Sequence, residues 1–208
     1  MAKMERTGHA SSRAAMIYQH ISKDRDRHIA YGYGCRMPED GPPELSPDPV
    51  DVVVTITRIV ASPWPTTEGE RRAMFSEMAF LERSPATEPP ERTAGIFSTS
   101  LSDEVAGSWS TFNGEFLGLS FFLYLSPDPT DPKPRAGYDA LRRLLSDAFG
   151  APVEEWGPAH MPASAWTIRG LVLSMYCHGR GNGCVQVGLE HAERTAANSA
   201  AREPEIRL

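Results

Sequence analysis

The chain has few cysteines and no long hydrophobic run. Its only cysteines are Cys35, Cys177 and Cys184 among 208 residues. Three are too few for a disulfide scaffold, and an odd number is typical of a reducing compartment. No run of 18 apolar residues is present, so a membrane-spanning helix is not expected. The first residues also lack the apolar stretch of a secretory signal. We therefore expect a cytoplasmic protein without membrane contact.

The motifs of common enzymes and metal sites are missing as well. The chain contains neither Gly-x-Ser-x-Gly nor His-Glu-x-x-His, which many hydrolases and metalloproteases carry. The glycine-rich run from 179 to 183 lacks the Lys and the Ser or Thr of a phosphate loop. Cys177, His178 and Cys184 lie beside that run, but a structural zinc site needs four ligands and no fourth is near. We predict neither a metal site nor a cofactor.

Charge is distributed unevenly along this weakly acidic chain. Hydrophobic residues make up 40% of the chain, which contains 21 Lys and Arg residues and 27 Asp and Glu residues. This composition excludes collagen-like, coiled-coil and fully disordered proteins. Residues 1–34 carry six basic and three acidic residues, whereas residues 35–208 carry 15 basic and 24 acidic residues. A basic segment is suited to phosphate, and an acidic body is suited to basic partners.

Prolines separate these two parts. Residues 35–49 contain five prolines, and neither a helix nor a sheet interior passes through such a stretch because each proline removes a backbone donor. We predict an N-terminal segment (1–34), a linker (35–49), one domain (50–190) and a flexible or helical tail (191–208). A second proline-rich stretch, 126–137, is predicted to be a loop, because its apolar flanks are too short for separate cores. No internal repeat is evident.

The N-terminal segment places a histidine and a tyrosine at a distinctive spacing. Residues 8–20 read GHASSRAAMIYQH, in which Tyr18 follows His9 by nine positions. Ser11 or Ser12 is a suitable helix cap, and good helix formers follow. A separate helix is therefore predicted here. The free N–H groups at its start favour an anion near His9.

This run resembles the C-terminal catalytic box of the tyrosine recombinases, the phage-type integrases, and residues 22–30 resemble its continuation in actinobacterial members. The resemblance implies that Tyr18 attacks DNA to form a phosphotyrosine and that His9 hydrogen-bonds the scissile phosphate. Arg13 and Lys23 are the DNA-binding candidates. The family's two arginines, its lysine and its His-x-x-Arg box have no counterpart, since only seven residues precede Gly8. We expect a truncated, integrase-like protein related to DNA recombination and integration that is not catalytic alone.

Local patterns predict the elements of residues 50–190. Val50 to Val60 is rich in β-branched residues and favours a strand, although Ile56 and Ile59 also fit a helix face. Thr67 and Glu70 form a capping box that predicts an amphipathic helix over 67–82. A second amphipathic helix is predicted over 136–149, with Gly150 as its terminator.

Two hairpins complete the predicted domain. Asn113-Gly114 is a turn signal between strands at 108–112 and 115–125. A second hairpin is predicted from strands at 166–177 and 184–190 across the glycine-rich run. The order strand, helix, hairpin, helix, hairpin indicates an α+β fold, an antiparallel sheet with helices on one side.

This body resembles actinobacterial α+β proteins of unknown function or immunity type. The resemblance implies an alternative function, a non-enzymatic protein-binding module whose acidic body takes a basic protein partner, with residues 1–36 incidental. Within the body, Glu154, Glu155, Trp156 and His160 lie in a predicted loop, where binding residues are often found. A carboxylate pair beside a histidine is also compatible with acid–base chemistry, although carboxylates in loops usually face solvent.

Overall fold

The computed structural model describes residues 43–87, 92–128, 130–179 and 183–202. Within these ranges the chain forms four helices and eight strands, and the predicted α+β class is confirmed. The helices are α1 (Pro49–Ala61), α2 (Glu68–Glu77), α3 (Lys133–Phe149) and α4 (Ala192–Arg202). The strands are β1 (Leu81–Thr87), β2 (Arg92–Ser98), β3 (Ala106–Phe112), β4 (Glu115–Ser126), β5 (Glu154–Trp156), β6 (Ala163–Ile168), β7 (Leu171–His178) and β8 (Gly183–His191).

The recombinase-like segment lies outside the described residues. Its predicted helix and the candidates His9, Arg13, Tyr18 and Lys23 therefore stay predictions from the sequence. The described body begins at Pro43, and Leu45 already packs against its core. No helix in the described ranges is both long and apolar enough to cross a membrane.

The sheet consists of two four-stranded meanders joined at its centre. The strand order is β1-β2-β3-β4-β8-β7-β6-β5, and every neighbouring pair is antiparallel. Helix α2 precedes the first meander and α3 precedes the second. The same connectivity, a helix followed by four antiparallel strands, therefore occurs twice, and β1 and β5 occupy equivalent positions at the two edges.

The strand predicted at Val50 to Val60 is wrong, because these residues form α1. Asp48 caps this helix by accepting a hydrogen bond from the Val50 N–H at 2.8 Å, and Pro49 occupies its first turn. The buried residues of α1 recur at helical spacing: Val52, Ile56, Ile59 and Val60. Periodicity and capping thus outweigh the β preference of the branched side chains.

Helix α2 confirms the predicted capping box but is shorter than predicted. The Glu70 N–H donates to Thr67 Oγ1, and the Glu70 carboxylate accepts from the Thr67 N–H. Just past Glu77, Ala79 takes a left-handed φ of 55° and the Phe80 N–H donates to the Phe75 carbonyl at 2.8 Å. The chain then enters β1 and β2, two strands that the sequence did not predict.

The turn at Asn113-Gly114 is confirmed, and the second predicted hairpin needs a correction. Asn113 and Gly114 adopt φ of 50° and 78° between β3 and β4. The segment predicted as one strand over 166–177 is interrupted at Arg169 and Gly170, whose φ values are 50° and 80°. It forms parts of β6 and β7, and β7 pairs with β8 as predicted.

The core lies between one face of the sheet and helices α1, α2 and α3. Alternate residues of the central strands are fully buried there, among them Leu119, Phe121, Val187 and Leu189. Strand β5 lies at the far edge of this sheet, against β6 and near α3.

Candidate functional site

A groove lies between helix and edge strand in each half of the sheet. The first, which we call the β1 groove, has a volume of about 290 Å³ and is lined by Arg72, Phe75 and Ser76 of α2 and by residues 79–82. The second, the β5 groove, has a volume of about 350 Å³. Its lining includes Arg135, Tyr138, Asp139 and Arg142 of α3 together with Glu155, Trp156 and Gly157.

Matching ion pairs join helix and edge strand in the two halves. Arg71 Nη1 lies 2.5 Å from an oxygen of Glu82, the second residue of β1. Arg142 Nε lies 2.6 Å from an oxygen of Glu155, the second residue of β5. The two pairs of helix and edge strand are therefore equivalent in connectivity and in the ion pair that joins them, although Arg142 lines its groove and Arg71 does not.

The arginine of the first half is buried beneath aromatic rings. Arg71 is 1% exposed, and its guanidinium carbon lies 3.8 Å from the ring centroid of Trp109 and 5.1 Å from that of Phe75. Phe80 packs edge-on against Phe75, with ring centroids 5.6 Å apart. This arginine is part of the core and is not accessible to a ligand.

The ion pair of the second half remains open to solvent. The side chains of Arg142 and Glu155 are 41% and 50% exposed, and Trp156 next to Glu155 is 42% exposed. The hydrogen bond from Arg142 holds the pKa of Glu155 below its usual value. An accessible ion pair and an accessible indole thus lie at adjacent positions of the same edge strand.

Behind the ion pair, a chain of hydrogen bonds runs into the core. The Ser164 hydroxyl donates to Glu155 at 3.3 Å, and the Ser164 and Tyr138 hydroxyls share a hydrogen bond of 2.6 Å. Both hydroxyl-bearing residues are almost completely buried, and burial raises the pKa of Tyr138. These groups fix the position of the Glu155 carboxylate.

The loop after Trp156 is held close to the groove. Arg135 donates to Asp139 at 2.8 Å and also to the carbonyl of Ala159. Gly157 has a φ of 87°, and a Cβ at this position would lie 2.4 Å from the Met161 carbonyl oxygen. Only glycine permits this close approach. The backbone on the C-terminal side of Trp156 is therefore fixed by the fold.

The structure separates the four candidates that the sequence named in this region. Glu155 and Trp156 are among the residues that line the groove, and Glu154 is not. Strand alternation places the side chains of Glu154 and Trp156 on the side of β5 opposite to that of Glu155. His160 is exposed in the following loop, and no hydrogen bond joins it to either carboxylate within the described ranges. The predicted loop also contains β5. An acid–base pair of Glu154 and Glu155 is therefore not formed.

Sequence reasoning missed Arg142, Tyr138 and Ser164 as parts of this site. Tyr138 lies in the amphipathic helix predicted over 136–149, and Arg142 is one of two adjacent arginines on that helix. Nothing in the spacing of these residues indicates that Arg142 meets a carboxylate 13 residues away. Their convergence depends on the order of strands in the sheet.

Two observations on the described residues concern metal ligands and thiols. No group of three or more side chains suited to a metal ion occurs among them. Burial raises the pKa of the Cys177 thiol, which disfavours the nucleophilic thiolate. Comparison of the chain with known families, curated proteins and solved structures finds no match.

Proposed function

We propose that the described body is a protein-binding module and that the β5 groove is its contact site. The proposal rests on the difference in accessibility between the ion pairs at the two grooves. Beside the β1 groove, Arg71 of the ion pair is buried under Trp109, whereas at the β5 groove the ion pair and Trp156 are accessible. Tryptophan and arginine are the residues most enriched among those that dominate binding energy at protein interfaces.

Apolar surface beside the groove supports the same proposal. Val153, which directly precedes β5, is 63% exposed, and Trp156 at the other end of β5 is 42% exposed. The Val153 N–H donates to the Ala165 carbonyl at 2.7 Å, so this residue is also anchored to the sheet. Exposed apolar groups on a fixed backbone bind with little loss of conformational entropy.

Charge favours a basic protein as the partner. Residues 35–208 carry 24 acidic and 15 basic residues. Complementary charge increases the rate at which two proteins meet, and it disfavours acidic competitors. The proposed partner is therefore a protein with a basic surface.

Site-directed photo-crosslinking in the native host tests this proposal. The full chain would carry a photoreactive amino acid at position 153, beside the β5 groove, or at position 81, in the β1 groove. Leu81 is a matched control because it is 70% exposed in the equivalent groove. We expect one partner protein, identified by mass spectrometry, to be crosslinked from position 153 and not from position 81. Identical products from both positions, or none from position 153, would contradict the proposal.

A second proposed function, DNA contact through residues 1–34, rests on the recombinase-like run alone. The spacing of His9 and Tyr18 and the basic residues Arg13 and Lys23 favour it. The test compares the full chain with an Arg13→Gln, Lys23→Gln double variant for binding to duplex DNA across salt concentrations. We expect weaker binding and a shallower salt dependence in the variant, since fewer counterions are released. Equal binding by both proteins would contradict DNA contact through these residues.

A further inference from the structure

We infer that Trp156 and Glu154 together bind an arginine side chain of the partner protein. This inference rests on the proposed function and specifies the chemistry that the partner presents. The site lies on the side of β5 that faces away from α3, next to the β5 groove.

Strand alternation brings the indole and a carboxylate to the same side of β5. Glu154 pairs with Ala165 and Trp156 with Ala163, whereas Glu155 between them pairs with Ser164. Glu155 contacts Arg142 on the helix side, so its two neighbours lie on the other side. Positions two apart on a strand are separated by roughly 7 Å, which allows one long side chain to contact both.

The charges around β5 leave one carboxylate available. Arg142 is paired with Glu155, and Arg135 is paired with Asp139. Glu154 is exposed and forms no ion pair within the described ranges. The available charge at this edge is therefore negative and lies beside an accessible aromatic ring.

An arginine side chain can contact the Trp156 indole and the Glu154 carboxylate at the same time. Its guanidinium stacks on tryptophan more favourably than on the other aromatic rings and donates to a carboxylate at the same time. Tyr176 packs edge-on against Trp156, with ring centroids 5.6 Å apart and an interplanar angle of 80°. This contact holds the indole in place before binding, so that little reorganisation accompanies it.

Titration of the full chain with model peptides tests the inference. The probes are acetyl-Gly-Arg-Gly-amide and the same peptide with citrulline, which has the shape of arginine without its charge. The readout is the indole N–H signal of Trp156 in a ¹⁵N-labelled protein, assigned through Trp156→Phe. We expect the arginine peptide to shift this signal saturably and the citrulline peptide to leave it unchanged. Glu154→Gln should weaken the apparent affinity by about threefold or more.

Glu77→Gln is the matched control. It removes the same charge from an exposed position at the end of α2, and it should leave the affinity for the arginine peptide unchanged. Equal shifts with both peptides, no shift with either, or equal weakening by Glu77→Gln and Glu154→Gln would overturn the inference. If the inference fails while the crosslink from position 153 forms, the groove binds a partner through other chemistry. If the crosslink also fails, the proposed function fails with it.

Discussion

Gly137 lies within α3 directly against the ring of Tyr124. A Cβ at Gly137 would lie 2.1 Å from Cδ2 of that ring, and the ring is fixed because Tyr124 is 1% exposed and has a φ of 51°. Replacing a helical glycine by alanine normally stabilises a helix. Here the added methyl group overlaps the ring, so the close approach of α3 to β4 requires glycine.

We therefore expect Gly137→Ala to lower the free energy of unfolding by about 1–3 kcal/mol. Urea denaturation followed by circular dichroism measures this change. Gly69→Ala is the control, because a methyl group there would have its nearest neighbouring atom 4.0 Å away; it should be neutral or stabilising by up to about 1 kcal/mol. A neutral Gly137→Ala would show that α3 and Tyr124 adjust to each other.

Arg71 and Arg72 are adjacent in sequence but differ in environment. The Arg71 side chain is 2% exposed and pairs with Glu82, whereas the Arg72 side chain is 66% exposed and pairs with Glu68. Removing the buried Arg71 side chain takes its packing out of the core and also leaves the Glu82 carboxylate without its partner. We expect Arg71→Ala to lower the free energy of unfolding by about 3 kcal/mol and Arg72→Ala to change it by less than about 0.5 kcal/mol. Similar losses in both variants, measured by chemical denaturation, would refute the assignment of Arg71 to the core.

The ion pair in the β5 groove has a defined pH dependence. Since Arg142 holds the pKa of Glu155 below its usual value, the unfolded chain binds this proton more readily than the folded chain. The pair therefore stabilises the fold above the ordinary carboxyl pKa, and this contribution is lost as pH falls through the lowered pKa.

We expect Arg142→Gln to raise the pKa of Glu155, measured by NMR titration of its side-chain carboxyl carbon. Arg143 is the control, because it is the neighbouring exposed arginine on α3 and forms no ion pair within the described ranges. Arg143→Gln should leave the pKa of Glu155 close to that of the unmodified protein. The same pKa in both variants would show that Arg142 is not the principal partner of Glu155.

At the scale of single elements, the turns at 113–114 and 169–170 have nearly the same φ angles but different residues. Asn113-Gly114 and Arg169-Gly170 each place two residues at positive φ. Asparagine tolerates this region better than arginine does. We expect Arg169→Asn to raise the thermal unfolding midpoint and the free energy of unfolding by about 0.5–1 kcal/mol. Asn113→Arg should have the opposite effect, and stabilisation by both substitutions would contradict this explanation.

Elements with strong local signals were predictable from the sequence. The Thr67 and Glu70 capping box and the Asn113-Gly114 turn act within a few residues, and both form as expected. Helix α1 was predicted as a strand because its valine-rich sequence has a high β propensity. The helical spacing of its apolar residues indicates the opposite, and this spacing decides the structure. Strand β5 was hidden in a predicted loop, since its three residues are exposed and pair only at an edge.

At the scale of the whole molecule, the repeated connectivity determines where the candidate site forms. Glu155 and Trp156 were identifiable from the sequence as candidates, but their position beside Arg142 results from packing α3 against β5 and β6. The equivalent pair, Arg71 and Glu82, was not predicted at all, because β1 was not recognised. No internal repeat is evident in the sequence, since the two halves share connectivity and an ion pair without sharing a residue pattern.

The two equivalent grooves are also the basis of the functional proposal. Burial of Arg71 under Trp109 places the arginine of the first ion pair in the core, out of reach from the β1 groove. Exposure of Arg142, Glu155 and Trp156 leaves the β5 groove available to a partner. The central claim is therefore that Trp156 contributes directly to partner binding.

Crosslinking from position 153 in a Trp156→Ala variant tests that claim most directly. Trp156 is 42% exposed, so its replacement should cost only about 1 kcal/mol of stability, mainly through the lost contact with Tyr176. The account predicts that the folded variant, checked by its thermal unfolding midpoint, no longer forms the specific crosslink. An undiminished crosslink from the folded variant would contradict it.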